Sequence, residues 1–233
     1  MKLHERLSVD LYGLVNNAGV YVGGEFDWLT IDQCEKQVAV NYLGTIRVTK
    51  HFLHHLIKSK GRIINVGSVN SLFSYPHQAV YAGTKFALKG FSESLKIEMA
   101  KFGVKVILFM PGDFAKLTKI ASNQKEYFRQ MWTSMNAIKQ RFYAAYFNEY
   151  CDYAEKYTGY TSPLELESST FYQDIDYIIL DEMPIDIFSG TQKFKIFFNL
   201  FRTIPDQLRQ KLIGFLFRAA QLDGSKHFYR HNH

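Results

Sequence analysis

Residues 11–19 read LYGLVNNAG, and this stretch decides the fold. Leu11 to Asn17 is short and apolar and is followed by Gly19, which predicts a buried strand. Working outward, Thr30 or Asp32 can cap a helix carrying Val38, Val40 and Leu43. Its apolar spacing continues through Ile46, Phe52, Leu53 and Leu56 to Ser59, and Gly61 stops it. Arg62 to Val66 (RIINV) is a second buried strand, and Ser71 to His77 is a loop containing Pro76. A helix is expected from Ala79 to Phe102, closed by Gly103. Val104 to Met110 (VKVILFM) is a third strand, broken by Pro111-Gly112. Near-continuous apolar strands alternating with long helices predict an α/β fold. Its doubly wound parallel sheet should be covered on both faces, with right-handed crossovers.

Composition narrows the class. The chain has 233 residues, 47% hydrophobic and 21% charged, which reads as a globular domain and excludes wholesale disorder. Its 28 basic residues against 22 acidic give a net charge of +6, but they are scattered. A nucleic-acid binder concentrates charge in a stripe, so no nucleic-acid partner is expected. Two cysteines, Cys34 and Cys151, cannot make a disulfide framework. No apolar run reaches the roughly 18 residues of a membrane span. The opening MKLHERLSVD does not read as a signal peptide.

The second half changes character. Asn123 to Tyr150 is helix-like and aromatic. A turn and new helix start fall near Ser162-Pro163, and Phe171 to Pro184 (FYQDIDYIILDEMP) matches no recognised pattern. Phe194 to Phe201 and Leu208 to Phe217 read as two helices, and the tail KHFYRHNH as frayed. Residues 1–120 therefore read as the strand-and-helix part of one domain and 121–233 as its helical extension. Most of the aromatic helix is expected to pack, with Met131 and Trp132 as pocket contacts. FKIFFNLF and LIGFLF flank a basic, proline-bearing link and could lie in a membrane interface.

Chemistry concentrates at Tyr81 and Lys85, four residues apart on one helical face. A lysine ammonium near a phenol favours phenolate and so helps proton transfer. Ser68 ends the second strand, where ligands of α/β sheets sit, and could hydrogen-bond a substrate oxygen. His51, His54 and His55 share a helix face, but no third ligand type stands at zinc spacing, so no metal site is expected. Cys34 reads as a half-buried small residue.

The pair alone is weak; the ordered set is specific. Asn16-Asn17-Ala18-Gly19, Asn41, Ser68, Tyr81, Lys85 and Pro111-Gly112 together resemble the short-chain dehydrogenase/reductase family. The resemblance is strong over residues 9–120 and implies a Rossmann-like fold, NAD or NADP as cofactor, and a small alcohol or ketone substrate. It also implies that residues 1–120 are the catalytic part of the domain and that the extension 121–233 lies on the substrate side. Tyr81 would be the general acid/base. Lys85 would lower its pKa and bind the nicotinamide ribose. Ser68 would orient the carbonyl, and Asn41 would hold a relay water. Asn17, Ala18 and Gly19 would line the adenosine side, and Pro111 and Gly112 the floor under the nicotinamide. YAGTKFALKGFSESLKIEM is similar to the branch of 3-hydroxybutyrate, retinol and 17-beta-hydroxysteroid dehydrogenases. PGDFAKLT, with Thr118 seven residues after the proline, is most similar to its hydroxybutyrate side. That branch implies lipid metabolism and a mitochondrial or endoplasmic reticulum membrane-associated location.

One family feature has no counterpart. The turn T-G-x-x-x-G-x-G that cradles the pyrophosphate does not occur in the sequence. The expectation is an N-terminally truncated chain with LYGLVNN as an exposed sheet edge and poor dinucleotide binding. Two functions follow. One is an oxidoreductase interconverting a secondary alcohol and a ketone. The other is a catalytically silent isoform or fragment that pairs with another subunit. The family resemblance also implies a homo-oligomer formed through the helices Ile31 to Ser59 and Ala79 to Phe102.

Overall fold

In a computed structural model, which describes residues 10–112, 118–158, 169–189 and 192–219, four short apolar segments lie side by side. They are β1 (Gly13–Asn16), β2 (Arg62–Val66), β3 (Lys105–Pro111) and β4 (Ile187–Ser189). All pairs are parallel and the order is β1-β2-β3-β4. The register sets Asn16 opposite Asn65, Ile64 opposite Ile107, and Pro111 opposite Ser189.

Strand alternation sends apolar side chains to both faces. Ile63 and Val106 pack with Leu56, Leu95 and Met99 of α2 (Thr45–Ser59) and α3 (Ala79–Ala100). Ile64, Ile107 and Phe109 turn the other way, onto Ile178 of α6 (Ser169–Leu180). Helices thus cover both faces, as the apolar strand runs require. Among the described residues β1 lies at the edge, with Tyr12 and Val15 each more than half exposed.

The helices differ from the sequence reading in three places. The first long helix starts as α1 (Ile31–Val38) on a Thr30–Gln33 capping box. It then widens into a π-helical turn over Ala39–Gly44 before α2. Apolar spacing does not register that change, because the chain stays helical and the side-chain faces drift only slightly. The aromatic segment 123–150 is two helices, α4 (Gln124–Ser134) and α5 (Ala137–Thr158). Met135 is extended between them, and Asn136 caps the second by accepting from the Lys139 amide. Phe171 to Pro184, which matched nothing, supplies α6 and the approach to β4. The region near Ser162-Pro163 and the tail lie outside the described residues. α7 (Gln192–Phe201) and α8 (Asp206–Ala219) follow β4, close to their expected positions.

Gly61 does more than stop α2. The left-handed residue at the helix end is Lys60 (φ 51°), and a Cβ on Gly61 would stand 2.7 Å from the Tyr12 carbonyl oxygen. The close approach of β1 therefore requires glycine there.

Arg62 fastens α6 to the sheet. It is 4% exposed, and its guanidinium donates to the carbonyls of Ile178 (2.8 Å) and Asp181 (3.1 Å). The Tyr12 hydroxyl donates to the Ile179 carbonyl between them. These are carbonyls at the negative end of α6, which a cation stabilises. Arg62→Ala should therefore cost about 2–4 kcal/mol through buried unsatisfied carbonyls and lost packing. A urea titration checks this, and an unchanged midpoint would remove Arg62 from the role.

Candidate functional site

After β1 the chain runs through Val20 to Gly24 without a strand partner, yet much of it is buried. Its backbone groups must be satisfied some other way. Three buried carboxamides do so. Asn41 accepts from the Val20 amide (2.8 Å) and donates to the Val20 carbonyl (2.9 Å). Gln37 accepts from the Val22 amide (3.2 Å). Gln124 accepts from the Gly23 amide (3.0 Å) and donates to its carbonyl (2.6 Å). The Gly24 amide then donates to the His77 carbonyl (2.9 Å). Held this way, Tyr21 sets its ring edge-on to Tyr81, with centroids 5.1 Å apart.

A second polar seam runs beneath α2 and α3. Asn16 donates to Thr49 (2.9 Å) and to Asn65 (2.8 Å), and Asn65 donates to Ser92 (2.9 Å). The first Asn of the Asn16-Asn17-Ala18-Gly19 motif is thus a buried cross-link between two strands and two helices. Asn17 and Ala18 stay exposed, and Gly19 is half-buried beside the Asn41 amide oxygen. Pro111 and Gly112 are half-buried at the end of β3. With Ser68 just past β2, these groups line the carboxyl edge of the sheet.

Ser68 opens a single helical turn over Val69–Ser71, its hydroxyl accepting from the Asn70 amide (3.2 Å). Tyr81 sits in the first turn of α3 and Lys85 one turn later, both buried. Burial pushes the Tyr81 phenol up to about 12, while a hydrogen bond with Ser68 pulls it down. Burial also pushes the Lys85 ammonium down to about 8. Its Nζ donates to the Val66 carbonyl (2.9 Å) and lies 5.6 Å from the Tyr81 ring centroid. Ser68 is thus the group that offsets the burial of the phenol, in the place where the family resemblance puts Lys85. Asn41 reaches the same helix by donating to Thr84 (3.1 Å), next to Lys85.

Sequence reasoning missed Tyr21, Gln37 and Gln124. The only local signal is a glutamine on an otherwise apolar face, which spacing alone does not interpret. Met131 is corrected: it is fully buried among Val22, Trp28 and Phe128, so it belongs to the core and not to a pocket. Trp132 packs against the same cluster, its ring 5.0 Å from that of Phe147. The Cys34 thiol is pushed up, chiefly by burial and then by Glu35, which keeps it protonated.

The sequence profile described as short chain dehydrogenase matches residues 2–127. The chain is 34% identical over 142 residues to the mitochondrial D-beta-hydroxybutyrate dehydrogenase of Mus musculus, covering 60% of this chain and 41% of that protein. It is 31% identical over 220 residues to dehydrogenase/reductase SDR family member 9 of Homo sapiens, covering 93% of this chain and 66% of the relative. Among solved structures, a gluconate 5-dehydrogenase from Burkholderia cenocepacia in complex with NADP and tartrate is 26% identical. That match has a TM-score of 0.47 and covers 59% of this chain and 51% of the other.

Buried Lys85 has a stability consequence. Its folded pKa lies below the unfolded value, so the fold disfavours its charge at every pH below about 8. That penalty fades as pH rises from 8 to 10.5, where the unfolded lysine also loses its proton. Lys85→Met should therefore stabilise the chain at pH 7 by about 1–3 kcal/mol. Paired denaturant titrations at pH 7 and pH 10.5 check the sign. The gain should shrink at the higher pH, and a gain that stays constant would sink the argument.

Proposed function

The chain belongs to the short-chain dehydrogenase family, and from that premise we propose that it interconverts a secondary alcohol and a ketone. The proposed site is Tyr81, Ser68, Lys85 and Asn41. The observation that carries this reading is that Tyr81 and Lys85 lie buried one helical turn apart in α3, with Ser68 the side chain that pulls the phenol pKa back down. The chain spans about two fifths of the length of the hydroxybutyrate relative, so its activity is argued from its own residues.

The residues present fit the nicotinamide side of NAD or NADP. Lys85 spends one N–H on Val66 and keeps two for ribose hydroxyls. Asn17, Ala18, Gly19, Pro111 and Gly112 border the same edge. No residue of this chain is assigned to the pyrophosphate, because the glycine-rich turn is absent from the sequence. NAD or NADP held there would supply hydride transfer to or from the substrate carbon. Tyr81, protonated at neutral pH, donates its proton to the ketone oxygen, and Ser68 orients that oxygen. In the reverse direction the phenolate accepts the alcohol proton, and the Ser68 hydrogen bond stabilises it.

Tyr81→Phe should lower turnover about 10²–10⁴-fold while leaving cofactor binding within a few fold. Steady-state assays with 3-hydroxybutyrate and with an uncharged apolar alcohol, alongside a cofactor titration, read both effects. Turnover that survives the substitution would overturn the mechanism.

The alternative is a silent pairing module, and exposed apolar side chains favour it. Val38, Leu43 and Val48 lie along the first long helix, and Phe86 and Ile97 along α3, a surface suited to a second copy of the chain. A chain that dimerises but shows no turnover with any substrate would select this reading.

We further propose that α7 and α8 rest on a membrane surface. Phe198, Phe201 and Ile213 pack inward on Phe73. Ile196, Phe197, Leu200, Leu208, Phe215 and Leu216 are more than half exposed, and Arg202 and Lys211 are exposed beside them. No helix among the described residues is long and apolar enough to cross a membrane. The branch resemblance suggests a mitochondrial or endoplasmic reticulum membrane. Replacing Phe197 and Phe215 by serine should weaken co-sedimentation with anionic vesicles severalfold. Equal binding of the parent chain and the variant would remove the idea.

A further inference from the structure

We propose that His77 is a positioning residue for Tyr81, acting through Tyr146 and Glu25. The inference rests on the reading above, in which Tyr81 transfers the proton. His77 lies four residues before Tyr81, in the segment that enters α3. It is 8% exposed and has a left-handed backbone, φ 64°, although it is not glycine. Such a conformation carries strain and persists only where the surroundings fix it.

Here the surroundings fix it from three directions. The His77 carbonyl accepts from the Gly24 amide (2.9 Å), tying it to the segment that presents Tyr21. Its ring Nε2 lies 2.6 Å from the Tyr146 hydroxyl and 3.2 Å from Glu25 Oε1. The Tyr146 hydroxyl donates to the same Glu25 oxygen (2.8 Å). One arrangement satisfies all three groups: Nε2–H is shared between the Tyr146 hydroxyl and Glu25, and Tyr146 donates to Glu25. The ring also stacks on Tyr150, with centroids 4.3 Å apart.

The titratable groups around the imidazole are therefore Glu25 from the segment before α1, and Tyr146 and Tyr150 from α5. Tyr153 lies beyond, its ring centroid 6.4 Å from that of Tyr150, and Tyr21 also acts electrostatically on Tyr150. The Glu25 carboxyl is held below its usual range, first by its hydrogen bond to His77.

The consequence for the site follows from where this cage sits. The segment from Ser68 to Tyr81 is pinned near its start, where Asn70 donates to Gln78 across the loop (2.7 Å). His77 pins its far end to α5 and to the Tyr21 segment. Tyr21 in turn rests on Tyr81. The distance between the Tyr81 phenol and Ser68 is thus set partly by a ring that touches neither. A displacement of about 1 Å at a reacting group can cost 10²-fold in rate.

His77→Gly separates positioning from simple turn-making. Glycine accepts a positive φ without strain, so the turn is kept or improved while the ring is lost. The expected result is a melting temperature lowered by the lost ring contacts, and, assayed well below it, KM within about threefold and kcat lowered at least about tenfold. Tyr146→Phe, which removes one hydroxyl and keeps the ring, should lower kcat in the same direction. The double variant should fall by less than the product of the two single effects. A His77→Gly kcat within twofold of the parent overturns the proposal. If the parent chain shows no turnover, the dehydrogenase reading fails, and hydrogen exchange still tests the tether. Tyr146→Phe should then speed exchange across residues 69–81, and unchanged exchange there would overturn it.

Discussion

The structure turns on how a buried, unpaired backbone segment is satisfied. Val20 to Gly24 leaves the end of β1 and crosses the molecule without a sheet partner. Asn41 and Gln124 substitute for a neighbouring strand by presenting both an acceptor and a donor to that segment, and Gln37 adds an acceptor for the Val22 amide. A side-chain amide has the same hydrogen-bonding groups as a peptide, so it can replace one without burying charge. Each left unmade would cost about 1–3 kcal/mol. Because the three amides come from α1, the π-helical turn and α4, they also fix those elements around Tyr81.

The same region concentrates desolvated ionisable groups. Tyr81 and Lys85 both have their neutral forms favoured by burial, and at neutral pH the burial of the charged Lys85 costs stability. Hydrophobic residues of similar volume would pack there more cheaply. Ionisable residues buried against that preference, at the carboxyl edge of a parallel sheet, are what supports the proposed site. The cage around His77 adds strain of a different kind, in the backbone, and lies one helical turn from Tyr81.

Around this site the sheet is ordinary in its logic. Alternate residues of β2 and β3 feed two separate apolar clusters, one under α2 and α3 and one under α6. Arg62 is the exception within that alternation. It stands where an apolar residue is expected and points its charge at the end of α6, which explains why a buried cation is tolerated there.

By itself the sequence determined the strand–helix alternation, because apolar runs and helical spacing are local properties of the chain. It determined β1, β2, β3, α3 and the outer limits of the helical run from Ile31 to Ser59 to within a few residues, and it placed Ser68, Tyr81 and Lys85 on the elements that carry them. β4 stayed hidden: its three residues are too few for a periodic signal, and its pairing with β3 spans 78 positions between Phe109 and Ile187. Only the tertiary structure decided which polar residues are buried and what they touch. Gln124 and Gly23 are 101 residues apart, and Tyr146 and Glu25 are 121 apart. Hydrogen bonds over such separations leave no spacing in the sequence. They exist because packing removes water from both partners and leaves each the other's best remaining contact.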